Sequence, residues 1–314
     1  MNLYKDVLLI LPRNGWLNNG LINEGYNLSF PYYGNSVIHR LIRDIHFKIK
    51  MGQSIWYNKA NISNYKYIFL SATLVTTDYI KWLKKKNPNS IIILVYNNIV
   101  NKKTCNPLSI TNDYCIKWTC DIYDAKKYNM NFYNSGAYLR HWIVKKTIPV
   151  YDVFYIGKDK NRLEQLRQIE KEMNAYGVKT MFYITWERGW QKINDGIHKP
   201  FLPYEEVLSY IGKSRAILHL IDGAQNGITI RIQESLIHKV KLITDDKNIR
   251  SYDFYNPHNI FILGVDNMND LRNFLDTPYE DVHSEFFKNA FYDQMIEYVV
   301  TSSKVKNRTI FGDV

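Results

Sequence analysis

Residues 6–11 read Asp-Val-Leu-Leu-Ile-Leu, and residues 150–157 read Val-Tyr-Asp-Val-Phe-Tyr-Ile-Gly. Each stretch is a short, nearly continuous apolar run that is followed by a turn. Such runs are typical of strands that are buried on both faces of a parallel sheet. Because the pattern starts once near residue 6 and again near residue 150, the sequence predicts two α/β domains in one chain.

The segments around these two runs extend the alternation of strands and helices. In the first half we predict helices at 36–50, 77–86 and 121–128 and strands at 67–70, 91–96 and 115–120. In the second half we predict strands at 150–157, 178–185, 216–221, 242–244 and 260–263 and helices at 160–176, 204–213, 229–238 and 284–302. This order predicts two consecutive α/β units of similar size, at 1–148 and 149–282, with a C-terminal helix and tail at 283–314.

The composition is that of a folded globular protein. Hydrophobic residues make up 46% of the 314 positions and charged residues 23%, which argues against a disordered chain. No apolar run approaches the ~20 residues of a membrane-spanning helix, and residues 1–6 lack the layout of a signal peptide. A cytoplasmic location follows as the prediction. Three cysteines within residues 105–120 predict buried or half-buried thiols rather than a disulfide framework or a zinc site.

The charge balance is basic, with 41 Lys and Arg against 30 Asp and Glu, a net charge of +11. A basic excess first suggests nucleic acid, but the basic residues are scattered and the longest run is only Lys84-Lys85-Lys86. Compositional background, anionic small ligands and an anionic membrane surface are the better-supported explanations. We therefore predict no nucleic-acid partner.

Two loops stand at the carboxyl ends of predicted strands, where open parallel sheets bind ligands. The first loop contains Gly157, Lys158 and Arg162 at the entrance to a helix, an arrangement that favours phosphate. A solvated helix start with no ligand is the alternative. Neither a Walker motif nor a G-x-G-x-x-G run is present, which argues against P-loop enzymes and ordinary Rossmann dehydrogenases.

The second loop, at residues 222–234, joins a strand to a helix through two glycines. It carries Gln225, Gly227, Thr229, Arg231 and Glu234. A diphosphate could accept hydrogen bonds from the Thr229 hydroxyl and the Arg231 guanidinium, while the Glu234 carboxylate suits the hydroxyls of a ribose. The alternative is an exposed Arg231–Glu234 pair three positions apart on the helix. Glu187 follows another strand and could contact the sugar or the base.

Residues 151–162, 225–236, 241–244 and 253–257 resemble segments of bacterial glycosyltransferases from capsule, lipopolysaccharide and exopolysaccharide clusters. The likeness covers residues 151–264 well and the first half loosely. Those proteins are similar to two-domain GT-B enzymes, which implies two Rossmann-like domains, the first for the acceptor and the second for the donor. The resemblance further implies a cleft between the parallel sheets and a final helix that returns to the first domain. The resemblance also implies donor contacts by the residues of the two loops.

No Asp-x-Asp triplet occurs in the sequence, and metal-dependent glycosyltransferases of the other major fold use that motif to hold a divalent cation. The hypothesis is therefore metal-independent transfer, without a cofactor, from a nucleotide sugar to a surface glycan or lipid-linked oligosaccharide. The protein would act in the cytoplasm, at the inner face of the membrane. The alternative is a non-catalytic subunit of a polysaccharide-assembly complex that binds a nucleotide sugar or a glycan.

Catalytic and acceptor residues are sought in the first domain. Inverting transfer requires a general base, and the candidates are Glu24, Asp44 and His39, the last two of which could equally lie on a solvated helix face. The loop after the first strand offers Arg13 and Asn14, and the aromatic stretch 20–34 offers Tyr32 and Tyr33 as an acceptor surface.

Overall fold

The structure is a computed structural model that describes residues 3–13, 15–34, 36–49, 52–134, 138–187, 195–221 and 227–311. The chain forms two compact units. The first unit comprises Met1–Asn134 and Tyr292–Val314, and the second comprises Ser135–Phe291. Among the described residues, no helix combines the length and the apolar character that a membrane crossing requires.

The first unit is built on a six-stranded parallel sheet. Its strands are β1 (Val7–Ile10), β2 (Asn27–Ser29), β3 (Tyr67–Ser71), β4 (Ile91–Tyr96), β5 (Ile116–Thr119) and β6 (Asn131–Phe132), in the order β2-β1-β3-β4-β5-β6. Leu8 pairs with Ile68, which pairs in turn with Ile92, and all three are buried. The continuous apolar runs are therefore central strands covered on both faces, as predicted.

The helices of the first unit are α1 (Leu3–Asp6), α2 (Asn18–Asn23), α3 (Val37–Lys48), α4 (Thr77–Lys86), α5 (Ile122–Tyr128) and α10 (Tyr292–Phe311). Short 3₁₀ turns lie at Gln53–Trp56 and Pro107–Ser109. Side-chain caps stabilise the N-termini of α4 and α5. Thr76 accepts a hydrogen bond from the Tyr79 amide, and Asp121 accepts one from the Tyr123 amide. The helix predicted at 77–86 has the bounds of α4.

The second unit is built on a five-stranded parallel sheet in the order β11-β10-β9-β7-β8. Its strands are β7 (Tyr151–Lys158), β8 (Thr180–Thr185), β9 (Ser214–His219), β10 (Lys241–Thr244) and β11 (Ile260–Ile262). Its helices are α6 (Leu163–Ala175), α7 (Tyr204–Gly212), α8 (Ile230–His238) and α9 (Leu271–Asp276), with 3₁₀ turns at Arg140–Trp142, Lys247–Ser251, Met268–Asp270 and Glu285–Lys288. The two parallel sheets confirm the predicted pair of Rossmann-like domains.

The C-terminal helix belongs to the first unit, as predicted. Trp118 of β5 donates a hydrogen bond through Nε1 to Ser303 Oγ of α10 at 3.1 Å, and the ring of Trp118 packs edge-on against Tyr298. The predicted start at residue 284 is wrong, because α10 begins at Tyr292. Asp253 binds the Ser284 hydroxyl at 2.6 Å and the Glu285 amide at 2.7 Å, so this stretch is held in a 3₁₀ turn of the second unit.

The units divide at Asn134/Ser135, earlier in the chain than the predicted boundary at 148/149. The segment before β7 already packs on the second unit. Trp142 lies against Tyr204 with ring centroids 4.4 Å apart, and the Thr147 amide donates to the Gly212 carbonyl at 3.0 Å. Residues 138–147 are therefore part of the second unit.

The cysteines match the prediction of buried or half-buried thiols. All three are free; Cys105 and Cys115 are buried and Cys120 is half-buried. Burial raises the pKa of the Cys115 thiol to about 12.

Candidate functional site

The carboxyl edge of the second sheet collects the two loops that the sequence marks. β7 ends at Lys158 and leads into α6, while β9 ends at His219 and α8 starts at Ile230. Because β7 and β9 are adjacent and parallel, both loops leave the sheet on the same side. The candidate site is this edge.

Arg162 ties the first loop to the end of β9. It precedes α6, and its guanidinium Nη1 donates to the carbonyl oxygens of Leu220 at 3.2 Å and Ile221 at 2.9 Å. Its backbone amide donates to Asp159 Oδ1 at 2.9 Å. Both carbonyl oxygens that accept from the guanidinium are uncharged. They hold the Arg162 side chain in place but do not neutralise its positive charge.

Arg231 and Glu234 form an ion pair on α8, but the pair is not exposed. Arg231 Nη1 donates to Glu234 Oε2, and the Tyr204 hydroxyl of α7 donates to Glu234 Oε1 at 2.7 Å. The side chain of Glu234 is 0% exposed and that of Arg231 18%. Burial raises the pKa of Glu234, and the opposing effects of Arg231 and Tyr204 do not cancel it. The exposed-pair alternative is therefore wrong.

The expected contact between Glu234 and a ribose stays a prediction. In the structure both carboxylate oxygens have partners inside the second unit, which fits a residue that holds Arg231 in one orientation.

His219, at the end of β9, is affected by the positive charge of both arginines. Burial, with the positive charges of Arg231 and Arg162 acting in the same direction, lowers the pKa of this imidazole to about 4. The imidazole Nδ1 lies 3.1 Å from the Thr244 hydroxyl at the end of β10. His219 is therefore a buried core histidine whose neutral form is favoured by its surroundings.

We expect the second unit to lose stability as the pH falls from about 6.5 to about 4. His219 and His238 both have ordinary pKa values of 6.5 that folding lowers to about 4. In that window the unfolded chain binds protons that the folded chain does not, so the free energy of unfolding falls by about 1.4 kcal/mol per pH unit for each proton. Urea unfolding between pH 7 and pH 4 measures the slope, and His219→Gln should reduce it.

Thr244→Val is the matched control for that experiment. It removes the hydroxyl that contacts His219 but leaves the imidazole able to titrate. An unchanged slope in His219→Gln would contradict the assignment of a neutral, buried imidazole.

The other residues predicted for the donor are placed around this edge. Lys158 is exposed at the end of β7, with Nζ 5.7 Å from the centre of the Phe201 ring. The Thr229 hydroxyl caps α8 by accepting a hydrogen bond from the Ile232 amide at 3.5 Å.

The remaining donor candidates are Glu187, Gln225 and the two glycines. Glu187 accepts a hydrogen bond from the Lys160 amide in the first loop. Gly157 lies within β7, Gly227 has a φ of 150°, and Gln225 lies outside the described residues.

The first-unit candidates lie on several elements. Arg13 Nη2 donates to the Tyr32 carbonyl at 3.4 Å, and the Tyr32 ring packs in the core. Tyr33 is exposed, and its hydroxyl accepts a hydrogen bond from the Lys59 amide at 3.1 Å.

The candidate bases lie on α2 and α3. Glu24 is half-buried at the end of α2 and lies near Tyr26. Asp44 and His39 are exposed on α3, with His39 Nδ1 at 2.7 Å from the Ser36 hydroxyl. Asn14 lies outside the described residues. The roles of these residues stay predictions.

Two features of the edge were not predicted. Tyr204, the partner of Glu234, is 30 positions away and has no local signal in the sequence. His198 lies between two carboxylates, with Nδ1 2.5 Å from Asp195 and Nε2 3.4 Å from Asp159 of the first loop. These carboxylates, Asp195 foremost, raise the pKa of His198. The sequence signal for this contact was Asp195 itself, because an aspartate side chain commonly accepts a hydrogen bond from the backbone two residues on, as it does here from the Ile197 amide at 2.9 Å.

No three His, Cys, Asp or Glu side chains in the described part of the chain are grouped as a metal site requires.

No family model matches the sequence, and no curated protein sequence matches it. Among solved structures the chain is similar to a putative UDP-N-acetylglucosamine 2-epimerase from Listeria monocytogenes, with 9% identity, 96% of both chains covered and a TM-score of 0.49. It is also similar to a glycosyltransferase involved in avilamycin A biosynthesis, with 11% identity, 98% of both chains covered and a TM-score of 0.49. An α1,3-fucosyltransferase determined with GDP has 10% identity, 94% of this chain and 88% of that chain covered, and a TM-score of 0.46. These low values do not decide between an epimerase and a transferase.

Proposed function

We propose that the protein is a glycosyltransferase whose second unit binds the diphosphate of a nucleotide-sugar donor. The observation that carries this proposal is the placement of both arginines at the carboxyl edge of the second sheet. Arg162 binds the carbonyl oxygens that follow β9, and Arg231 lies in the first turn of α8. A nucleotide diphosphate is a dianionic or trianionic group that suits two guanidinium forks and a helix start.

The chemistry of the transfer explains why cations are needed at this position. The bond between the anomeric carbon and the diphosphate oxygen breaks, and the leaving diphosphate takes the electron pair. Fixed positive groups that face this oxygen stabilise the developing charge without reorganisation. In the proposal Arg231 and Arg162 supply that charge together with the start of α8, and the transfer uses no metal ion.

Glu234 acts in this proposal as a positioning residue. Its carboxylate is buried against Arg231 Nη1 and the Tyr204 hydroxyl, so it restricts the guanidinium to one orientation. Because only one of the guanidinium nitrogens is used in that contact, the planar fork can still present further N–H groups to phosphate oxygens.

The acceptor in the proposal is the hydroxyl of a surface glycan that is carried on a lipid. The proton of this hydroxyl passes to a general base as the new glycosidic bond forms. Glu24, His39 and Asp44 are the proposed bases. Glu24 is the first of the three to test, because it is half-buried and lies in the aromatic stretch 20–34 that offers the acceptor surface.

We expect turnover of one nucleotide sugar when the full chain is incubated with a donor panel and a bacterial lipid extract in the presence of a chelator. Mass spectrometry should detect free nucleoside diphosphate and a lipid product that is heavier by one sugar residue. Omission of the lipid extract is the control, and it should leave only slow donor hydrolysis.

Two other outcomes would contradict the proposal. Conversion of a donor into its epimer without release of diphosphate would identify a different reaction. Donor binding without turnover in any extract would instead identify the non-catalytic subunit of a polysaccharide-assembly complex.

A further inference from the structure

Helix α3 presents an apolar face to solvent. None of its residues is buried, and six aliphatic side chains on or next to it are between 41% and 68% exposed. These residues are Val37, Ile38, Leu41, Ile42, Ile45 and Ile49. A surface helix ordinarily turns such a face toward the core, and a contiguous exposed patch of this kind marks an interaction surface. We call these six side chains the α3 apolar face.

The helix is attached to its own unit by the opposite side. The Phe47 ring packs edge-on against Tyr32 at 5.2 Å, and the Arg43 guanidinium lies 4.9 Å above the same ring. Trp56 Nε1 donates to His46 Nδ1 at 3.2 Å. On an ideal helix the α3 apolar face covers an arc of about 140°, and these three attached residues lie outside it. The amphipathic helix is therefore oriented with its apolar side away from the unit.

Basic side chains lie at one side of the α3 apolar face and within it. On an ideal helix Arg40 falls about 60° outside the arc of the face, and Lys48 falls inside it. Arg40 and Lys48 are exposed, and α3 carries three cations, Arg40, Arg43 and Lys48, against the single acid Asp44, which gives 3 − 1 = +2. An apolar helix face with basic side chains near it is typical of helices that lie in the interface of anionic membranes. A second copy of this chain would bring two helices of net positive charge together, which like-charge repulsion opposes.

We propose that α3 docks the protein on an anionic membrane surface. The α3 apolar face enters the boundary between headgroups and acyl chains, and Arg40 and Lys48 contact the anionic headgroups. This inference goes beyond the proposed transferase activity and does not depend on it, since α3 belongs to the first unit and the donor site to the second.

Vesicle co-sedimentation of the full chain tests the proposal. Vesicles of mixed phosphatidylcholine and phosphatidylglycerol should bind the protein, and pure phosphatidylcholine vesicles should bind it about tenfold more weakly. The double variant Leu41→Ser, Ile45→Ser should lower binding to the mixed vesicles by at least about tenfold, because it removes buried methylene groups from the bound state. Arg40→Glu with Lys48→Glu should remove the preference for anionic lipid.

The matched control is Leu108→Ser with Ile148→Ser, which changes two aliphatic side chains that are also strongly exposed but lie elsewhere in the chain. It should bind the mixed vesicles as the unchanged protein does. Failure of the unchanged protein to sediment with either vesicle would overturn the proposal. Equal losses of vesicle binding in the Leu41→Ser, Ile45→Ser variant and in the control variant would also overturn it. A different result would identify a second copy of the chain as the occupant of this face. In that case the unchanged protein would not bind vesicles and would form a dimer in solution, and Leu41→Ser, Ile45→Ser would convert the dimer to a monomer.

Discussion

Glu234→Ala is expected to lower the free energy of unfolding of the second unit by about 3–5 kcal/mol. The substitution removes the carboxylate that Arg231 contacts and that accepts the Tyr204 hydroxyl. Because the Arg231 side chain is only 18% exposed, water cannot fully replace the lost partner. A buried charge without its counter-charge is among the most destabilising changes that a single substitution can make.

Urea unfolding followed by tryptophan fluorescence measures this effect, since the fully buried Trp142 packs on the ring of Tyr204. Glu285→Ala is the matched control. It removes the acid of another pair with three-residue spacing, Glu285–Lys288, whose side chains are both about 70% exposed. A loss of at most ~1 kcal/mol is expected there. Equal losses in the two variants would show that Glu234 is not held as described.

Arg231→Lys is expected to weaken the binding of a nucleoside diphosphate by about ten- to a hundredfold. Lysine keeps a positive charge next to Glu234, so the buried pair persists and the unit folds. It lacks the planar fork that can donate to two phosphate oxygens at once. The loss of one charge-assisted hydrogen bond is worth about 1.5–3 kcal/mol, which corresponds to that range of affinity.

Calorimetric titration of the diphosphate into both proteins measures the ratio. Arg250→Lys is the control, because Arg250 is a half-exposed arginine of the same unit that pairs with Asp266 at 3.4 Å. Unchanged affinity in Arg231→Lys would remove Arg231 from the proposed site.

The fold was predictable where the local signal and the tertiary environment agree. Strands β3 and β4 are continuous apolar runs, and a chain segment of that kind can be satisfied only inside a sheet. Helix α4 was predicted with its exact bounds, since Thr76 supplies a local cap. The stretch 284–291 shows the opposite case. Its phenylalanines match helical spacing. The Asp253 carboxylate, however, accepts hydrogen bonds from the Ser284 hydroxyl and the Glu285 amide, and these hold a 3₁₀ turn instead.

For the candidate site, the sequence predicts which side chains can pair but not how they are arranged. The spacing of Arg231 and Glu234 shows in the sequence that the two can pair, yet not whether the pair is buried. That depends on Tyr204, which reaches Glu234 from another helix. The orientation of α3 was likewise beyond sequence patterns, because periodicity shows that a helix has an apolar side and not which way that side faces.

The most direct test of the account is calorimetric titration of the unchanged protein with UDP, GDP, dTDP and CMP in the presence of a chelator. The account predicts that one nucleoside diphosphate binds at a single site per chain, and that added Mg²⁺ does not strengthen the binding. Absence of binding by every nucleotide would contradict a donor site at the carboxyl edge of the second sheet, and binding only with Mg²⁺ would contradict its reliance on Arg162 and Arg231.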